Sequence, residues 1–539
     1  MNEKYKTLGT IEYVRGSNEE YNTLTAELTQ LQKKKKETQS LSFEEDFDKR
    51  NIKYVMHPSV AELPLLLDDV GLVKFDPAYK RGSDKAARDQ EKQYVRLTRE
   101  DAESYIEAIK ENPQLTINDF AKSKMSEQGI SVKSNAKVIA DFSTYIESGK
   151  EALYAGVAVD LSGLDFSKAN LQEACFAGAN LKGAKFNAAN LSLATFEGAN
   201  LENAKFKETT ARDVNMFAAN IDGAEFSSAD FGRAYMSHSS AYEATVSETS
   251  FNFADIRNGT WDGAQVSGST FNYADLEGIS LANAVIKQTT MQHANLDRAI
   301  LEGCQMIEAD LTRAFMAEAK ASNLKLKDSI LKDVDARKID LSGAEIDELC
   351  KLEGIDLENA VLRNIEADKV SFVGANMKGV EASGAHLEGA ILDGVEMQFS
   401  NLEDAVMNGV KASGVDMTGA NLTNVKARGA QLKGAALEGV VAHKADLTEA
   451  VMEGANLRGA KMHSAILEKV NLQKADLRNA ELENARLAEA QMEKAKVNDA
   501  TDLHGADVRA VKGNLEHEDI SGKKTEMSPG KKVRRDNEV

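Results

Sequence analysis

Residues 179–206 read ANLKGAKFNAANLSLATFEGANLENAKF, and Leu and Phe alternate in this stretch at every fifth position. The residue two places before each of these apolar centres is Ala throughout. A period of five fits neither the 3.6-residue turn of an α-helix nor the two-residue alternation of a strand. It fits a coil with four sides of five residues. The centre and the small residue before it then point inward on each side.

The pattern continues in both directions beyond this stretch. Apolar or Ala centres run from Leu161 to Ile346, slip by one residue within 347–351, and resume from Leu352 to Val497. A second slip follows near Asp502. With 20 residues per coil, the 68 regular steps predict 17 coils and, at about 4.8 Å between strands, a rod about 80 Å long. Because one coil cannot bury its own centres, each coil must pack on its neighbours.

Glycine and short polar residues mark the predicted corners. Glycine clusters two residues after the centre, as at Gly178 and Gly198, where a tight turn or a positive φ favours it. Asn or Asp often precedes the centre, as at Asn180 and Asp230, and such side chains bond local backbone groups.

These residues resemble the pentapeptide-repeat family, whose motif is A-(D/N)-L-x-x. Ala169-Asn170-Leu171 and Ala445-Asp446-Leu447 match this motif directly, and the resemblance covers about 350 of the 539 residues. It implies an all-β solenoid, a right-handed quadrilateral parallel β-helix, over residues 151–511. It does not specify a function, because members of one fold family perform unlike functions.

The composition excludes several classes of protein. The chain carries 86 acidic and 66 basic residues, a formal net charge of −20, which argues against direct binding of nucleic acid. Its three cysteines lie far apart, so we expect neither a disulfide framework nor a zinc knuckle. The first ten residues lack an apolar signal core, and no apolar run reaches the length of a membrane span. We therefore expect a cytoplasmic protein.

Residues 1–150 lack the five-residue rhythm and are predicted to be mostly α-helical. Leu24 to Lys36 reads as a polar helix, and Thr98 to Lys110 reads as a helix opened by a capping box from Thr98 to Asp101. Asn135 to Ser148 places its apolar residues on one helical face and directly precedes the first coil. Since an open sheet edge must be covered, we predict that a helix at 135–148 caps the solenoid.

The tail at residues 512–539 is polar and is predicted to be disordered. It offers no apolar cap for the last coils. We therefore expect a partner to close that end, with a second copy of the chain as the candidate. The resemblance supports this homodimer, since some family members dimerise at this end.

Large aromatic residues at outward positions form a candidate binding ridge. Large rings facing water are unusual for this repeat, and exposed apolar patches mark interaction sites. The alternative is that a loop or the N-terminal region covers them. Four residues lie two places after the centres of successive coils, and three aromatic residues lie nearby: Arg233, Phe253, Tyr273 and His293, then Phe217, Tyr235 and Tyr242.

The same region is strongly acidic. Residues 213–277 contain ten acidic residues and two basic ones, about one net charge per 2 Å of rod, against one per about 1.7 Å of duplex DNA. Asp255, Asp262 and Asp275 belong to this set, and we include them in the candidate binding ridge as exposed residues. A solvated charged face is the simpler interpretation, and mimicry of DNA is the functional one.

His443 and His463 lie 20 residues apart and should stack on successive coils, with Glu483 next in the column. Two His and a carboxylate can bind zinc or nickel. We favour coincidental spacing and predict no metal and no cofactor. The sequence contains no GxSxG, HExxH or P-loop motif, so we predict no catalytic residues and no enzyme activity.

The sequence thus favours a non-enzymatic scaffold that binds another protein, with a bacterial source implied by the resemblance. One variant is an effector delivered into a host cell without a signal peptide, because some family effectors join a non-repeat N-terminus to repeats. The alternative is an acidic DNA mimic that binds DNA gyrase or another topoisomerase. Family members that protect gyrase resemble duplex DNA in shape and charge.

Overall fold

The computed structural model describes residues 65–67, 73–75, 92–132, 136–143, 145–146, 153–154, 159–518 and 524–527. The predicted helix at 24–36 lies outside these residues. Before the solenoid the elements are β1 (Leu65–Leu67), β2 (Val73–Phe75), β3 (Lys92–Arg96), α1 (Arg99–Glu111), α2 (Ile117–Glu127), β4 (Lys137–Asp141), β5 (Tyr145–Ile146) and β6 (Leu153–Tyr154). β1 pairs with β2 and β5 with β6, both antiparallel.

From residue 159 onward the chain winds as a parallel β-solenoid of about 16 turns, close to the 17 expected. Residues on successive coils pair in parallel at every side. We number the four faces by these pairs, in chain order. Face 1 pairs Asp160 with Asn180, face 2 Asp165 with Lys185, face 3 Asn170 with Asn190, and face 4 Cys175 with Thr195.

Face 2 carries the regular strands of the first half of the rod. They form one parallel eight-stranded sheet in chain order. The strands are β7 (Lys205–Lys207), β8 (Glu225–Ser227), β9 (Thr245–Ser247), β10 (Gln265–Ser267), β11 (Val285–Lys287), β12 (Gln305–Ile307), β13 (Lys325–Lys327) and β14 (Glu345–Ile346).

The core consists of stacked columns, as the period predicts. Leu171, Phe186 and Leu457 are all buried. The rings of Phe166 and Phe186 stack with centroids 5.5 Å apart, and those of Phe186 and Phe206 at 5.3 Å. Offset stacks of this kind add about 0.5–1.5 kcal/mol each beyond the apolar area they bury.

The corners also follow the sequence. Gly178 has φ 69°, in the left-handed region that glycine adopts without steric cost. The Asn190 Oδ1 atom accepts a hydrogen bond from the Ser192 N–H at 3.1 Å, which fixes the turn before that corner. Both predicted slips are present, because Ile330 pairs with Lys351 and Glu481 pairs with Asp502, each partner lying one position beyond the regular spacing.

The predicted capping helix at 135–148 is wrong. Residues Lys137–Asp141 form strand β4, which pairs in parallel with β3. The Phe142 N–H donates to the Cys175 carbonyl at 2.7 Å, and the Cys175 N–H donates to the Ala140 carbonyl at 2.9 Å. A helix satisfies its own backbone groups, whereas an open sheet edge requires external donors and acceptors, and a strand supplies them.

The helix predicted at Thr98–Lys110 is present as α1. Thr98 is its N-cap, and the reciprocal bonds with Asp101 complete the capping box. The described residues before 150 nevertheless mix strands with two helices, so they are α/β rather than mostly helical. We call β3, α1, α2 and β4 the N-terminal cap.

The N-terminal cap bonds the first coil on three faces. On face 1 the Arg99 guanidinium donates to the Asp160 carbonyl at 3.0 Å. On face 3 the Asn170 carbonyl accepts from the Ile117 N–H at 3.0 Å. The Asn118 side chain donates to the Gln172 carbonyl at 2.9 Å and accepts from the β4 backbone at 2.8 Å. On face 4, β4 itself extends the ladder.

The prediction of a disordered tail is wrong for two segments. β15 (Lys496–Asn498) pairs in parallel with β16 (Leu515–Glu518), which pairs antiparallel with β17 (Lys524–Met527). The Glu516 N–H donates to the Ala495 carbonyl at 2.8 Å, so the tail satisfies the last open edge on this side. The polar composition of the tail gave no sign of this edge strand, because an edge strand pairs through its backbone groups and does not require apolar side chains.

Candidate interaction surface

Four large side chains lie in one corner column between faces 3 and 4. Arg233, Phe253, Tyr273 and His293 occupy successive coils with φ of 58°, 61°, 59° and 58°. The Phe253 and Tyr273 rings stack at 5.2 Å, and the Tyr273 and His293 rings at 4.7 Å. We call these four residues, with Phe217 and Tyr235 beside them on face 4, the aromatic ridge.

The left-handed backbone at this corner is strained for residues that carry a side chain. A non-glycine residue in the left-handed region costs roughly 1–2 kcal/mol. Each ring stack returns about 0.5–1.5 kcal/mol. The three rings of Phe253, Tyr273 and His293 thus cost about 3–6 kcal/mol and their two stacks return about 1–3 kcal/mol, so the column does not stabilise the rod. Bulky residues held in this region are therefore best explained by a role at the surface.

The remaining predicted ridge residues have identified contacts. Arg233 forms a two-pronged ion pair with Asp213, with N–O distances of 2.7 and 2.6 Å. Phe217 stacks on Tyr235 with centroids 5.6 Å apart. Tyr242 is 50% exposed but lies on face 1, so it does not belong to the ridge.

Asp255 and Asp275 are not exposed ridge residues, which corrects the sequence-based expectation. Both lie on face 4 and are 9% and 8% exposed, and Arg257 between them is 1% exposed. The Arg257 Nε atom is 3.0 Å from Asp255 Oδ1 and 3.5 Å from Asp275 Oδ2. These outward positions are buried because the ion pairs and neighbouring coils cover them.

Burial controls the titration of this cluster. It raises the pKa of Asp275 to about 6, while the charge of Arg257 opposes the rise. It also raises the pKa of Asp255, with the Asp275 charge as a second cause. Burial lowers the pKa of Arg257 to about 10. The two carboxyls and the guanidinium thus form one buried ionic unit.

Asp262 also serves the fold. One of its oxygens accepts hydrogen bonds from the Ser280 hydroxyl and from the Ala282 N–H, the latter at 3.1 Å. Two arginines just outside 213–277 add further neutralisation: Arg212 pairs with Asp230, and Arg298 pairs with Glu277. The region therefore presents less unpaired charge than its sequence suggested. Counting charges only within 213–277 missed these pairs, because stacking of the coils brings together residues that are about one coil apart in the sequence.

One exposed ring in the solenoid escaped the sequence analysis. Phe399 lies at another corner, has φ 59°, and is 66% exposed. A Cβ atom at Gly419, one coil on, would meet its ring at 2.9 Å, so glycine leaves the room that the ring occupies. A large residue at the glycine position, followed one coil later by glycine, is the sequence signal that identifies it.

The predicted histidine stack is present on face 1. The Nδ1 atoms of His443 and His463 lie 3.2 Å apart, and the ring centroids lie 4.9 Å apart. The Nε2 atom of His463 is 3.4 Å from Glu481 and 3.8 Å from Glu483. Burial lowers the pKa of His443, and the charge of His463 lowers it further. No group of three or more metal-ligating side chains occurs in the part of the chain that the structure describes.

The buried cysteines lack the character of nucleophiles. Burial raises the pKa of both Cys304 and Cys350 to about 12, so their thiols stay protonated at neutral pH. Among the described helices, none is long and apolar enough to cross a bilayer.

Two family models match the chain. A pentapeptide repeat region matches residues 157–226, and a model of pentapeptide repeats in eight copies matches six segments within 264–316 and 371–501. No curated protein sequence matches significantly.

Solved structures with the same repeat are similar to parts of the chain. HetL, a pentapeptide repeat protein involved in heterocyst differentiation regulation in the cyanobacterium Nostoc sp. strain PCC 7120, is 28% identical. The match covers 46% of this chain and 90% of HetL, with a TM-score of 0.22. QnrB1, a plasmid-mediated fluoroquinolone resistance protein, is 17% identical over 37% of this chain and 90% of its own, with a TM-score of 0.19. Rfr23, a pentapeptide repeat protein from the cyanobacterium Cyanothece 51142, is 32% identical. The match covers 19% of this chain and 63% of Rfr23, with a TM-score of 0.13.

Proposed function

The chain belongs to the pentapeptide-repeat family, and from that premise we propose that it is a non-enzymatic scaffold whose aromatic ridge binds another protein. The observation that carries the proposal is the left-handed corner column of Phe253, Tyr273 and His293. Glycine would satisfy this backbone without strain, so the rings are retained for what they contact.

The ridge suits a partner with basic and apolar side chains. Phe253 is 36% exposed, and aromatic faces attract Arg and Lys by cation–π interaction, worth about 0.5–2 kcal/mol per contact. The net charge of −20 favours encounter with a basic surface. Aromatic residues also dominate the energetic centres of protein interfaces. The partner is therefore proposed to be a protein with a basic patch rather than a nucleic acid.

A triple variant tests this function directly. Phe253, Tyr273 and His293 are each changed to Gly, which the corner accepts, so the coil should keep its shape. Proximity labelling in cells, followed by quantitative mass spectrometry, compares this variant with the natural chain. We expect the enrichment of the ridge partner to fall at least tenfold.

The matched control is Asn323→Gly, which makes the same backbone change at φ 56° without removing a ring. Its labelled proteins should equal those of the natural chain. If the triple variant also labels the same proteins at equal yield, the ridge does not bind them.

A homodimer through the C-terminal end is a second proposal, and the edge position of β17 supports it. β17 pairs with β16 on one side, and its other side lies at the edge of the described sheet. Edge strands pair readily with a second chain. Light scattering of the full chain tests it, and a monomer at 100 µM, where weak self-association would appear, contradicts it.

The DNA-mimic alternative is supported by the ten acidic residues of 213–277, and opposed by the pairing of several of them. A gyrase supercoiling assay separates the two functions. A mimic would inhibit supercoiling, and Asp262→Asn would weaken that inhibition, whereas a ridge scaffold leaves supercoiling unchanged. A cytoplasmic location, a bacterial source and delivery into a host cell also remain proposals.

A further inference from the structure

Two imidazoles face each other on face 1 in the second half of the rod, far along the chain from the aromatic ridge. His443 and His463 each follow a buried centre, and both rings are half-buried. The coil-to-coil hydrogen bond from the Lys444 N–H to the His463 carbonyl, at 3.0 Å, fixes the spacing of the two backbones. The repeat thus holds the rings in register rather than leaving them on loops.

The separation of the two nitrogens matches a shared metal ion. Imidazole nitrogens bind Zn²⁺ at about 2.0–2.1 Å. Two nitrogens 3.2 Å apart, each at that distance from one ion, enclose an angle of about 100–105°. This angle lies between the octahedral and tetrahedral values.

The outer nitrogen of His463 has carboxylate partners. Its Nε2 atom faces Glu481 at 3.4 Å and Glu483 at 3.8 Å. Metal-bound histidines usually donate the N–H of their other nitrogen to a carboxylate, which fixes the tautomer and raises the basicity of the ligand. A proton on Nε2, facing these carboxylates, would leave the free lone pair of the ring on Nδ1, the atom that faces His443.

The local charges permit a cation. Glu481 and Glu483 lie on one side of the pair, and Lys461, two positions before His463, opposes part of their charge.

We propose that His443 and His463 form a two-nitrogen site for a divalent late transition ion, Cu²⁺, Ni²⁺ or Zn²⁺. The Nδ1 atoms supply two ligands, and water or a group from a bound molecule fills the remaining positions. Glu481 and Glu483 are positioning residues that orient His463. The competing arrangement is a hydrogen bond between the two Nδ1 atoms, which binds no metal.

Calorimetric titration of the full, tag-free chain at pH 7.5 tests the site. The probes are CuCl₂, NiCl₂, ZnCl₂ and MgCl₂, each titrated alone. We expect one ion bound per chain, Cu²⁺ more tightly than Ni²⁺ or Zn²⁺, and no binding of Mg²⁺. No saturable binding of any of the three transition ions at 100 µM protein would overturn the proposal.

Variants assign the ligands. His443→Gln and His463→Gln should each weaken binding at least tenfold, and Glu481→Gln with Glu483→Gln should weaken it about 10–100-fold. His386→Gln is the matched control, because His386 lies on face 2, away from the pair. Equal binding by the control and by the double histidine variant would overturn the proposal. All these positions face outward, and circular dichroism verifies that the variants fold.

A spectroscopic readout does not depend on affinity. The electron paramagnetic resonance spectrum of the bound Cu²⁺ should show hyperfine splitting from two equivalent nitrogens, and from one in either single variant. Splitting unchanged in both single variants would place the ion elsewhere and contradict the site.

Discussion

The first and second halves of the rod have the same backbone conformation at one corner column but place different residues there. Between faces 3 and 4, the first half places no glycine and the second half places six in succession, all with positive φ. The first half has Glu173, Leu193, Asp213, Arg233, Phe253, Tyr273, His293, Arg313 and Asp333, and the second half then has Gly354, Gly374, Gly394, Gly414, Gly434 and Gly454, followed by Lys474 and Lys494.

The comparison separates what the fold needs from what the surface needs. Glycine meets the left-handed corner without strain, and the second half uses it where no side chain is required. In the first half, non-glycine residues with positive φ occupy this column, and their side chains form the ring stacks and the Arg233–Asp213 ion pair. The fold alone therefore does not account for the ridge.

The largest effect should come from the core, where the halves differ in residue size. Phe186→Ala removes a ring stacked between two others and should lower the free energy of unfolding by about 3–5 kcal/mol, while Leu437→Ala in the second half should cost about 2–5 kcal/mol. Urea unfolding of both variants measures the difference. A cost below about 1 kcal/mol for Phe186→Ala, far under the usual range for a buried ring, would show that the stacked column does not hold the first half together.

A smaller effect should follow when the second half is given a side chain in its glycine column. Gly434 has φ 67° with open space around it, so Gly434→Ala adds strain without a clash. We expect a loss of roughly 1–2 kcal/mol in urea unfolding. No measurable loss would mean that the corner tolerates side chains freely, and the strain argument for the ridge would fail.

The pH dependence should differ between two aspartates of the same face. Burial raises the pKa of Asp275 to about 6, so the folded state binds the proton more tightly than the unfolded chain, whose pKa is about 3.9. Its stabilising contribution is full below about pH 4 and is lost as the pH rises through 6, with a slope of at most about 1.4 kcal/mol per pH unit.

Asp476 in the second half behaves oppositely. Burial acts to raise its pKa, but the hydrogen bonds and the charge of Arg478 outweigh burial and lower the pKa below its usual value. The stabilising contribution of Asp476 is therefore present above about pH 4 and is lost below it. Thermal melts from pH 3 to 7 of Asp275→Asn and Asp476→Asn, each relative to the natural chain, should slope in opposite directions. Parallel curves would contradict the assignment.

The smallest effect should come from removing a ridge ring. Tyr273→Gly relieves roughly 1–2 kcal/mol of backbone strain and loses two stacks of about 0.5–1.5 kcal/mol each, so we expect a net loss of stability of about 0.5 kcal/mol that does not exceed about 2 kcal/mol. Partner labelling should still fall. A destabilisation above about 2 kcal/mol, which is large for a surface substitution, would make Tyr273 a structural residue and remove the reason to place it in an interface.

The repeat could be predicted residue by residue, because inward and corner positions depend only on a period of five. Leu171, Gly178 and the stacked pair of His443 and His463 all follow from counting. The ends could not be predicted in this way. The apolar residues of 138–142 fit one face of a helix and a strand buried on both faces equally well. The segment forms a strand because the open edge of the first coil needs hydrogen-bond partners from another segment.

The candidate site was predicted in part. The ring column followed from the spacing of the coils, but the burial of Asp255 and Asp275 did not, because it depends on Arg257 closing over both. The pairing of Arg298 with Glu277 was missed for a related reason. Opposite charges separated by about one coil length are the signal to search for in a solenoid of this period.

The N-terminal cap also bears on how the chain is made. It precedes the coils in the sequence, and its bonds to Asp160, Asn170 and Cys175 are all in place once the first coil has been synthesised. Each later coil needs only the coil before it. A nascent chain leaving the ribosome can therefore add each coil to the one before it, without a distant partner segment. The N-terminal cap thus allows the rod to grow in the direction of translation.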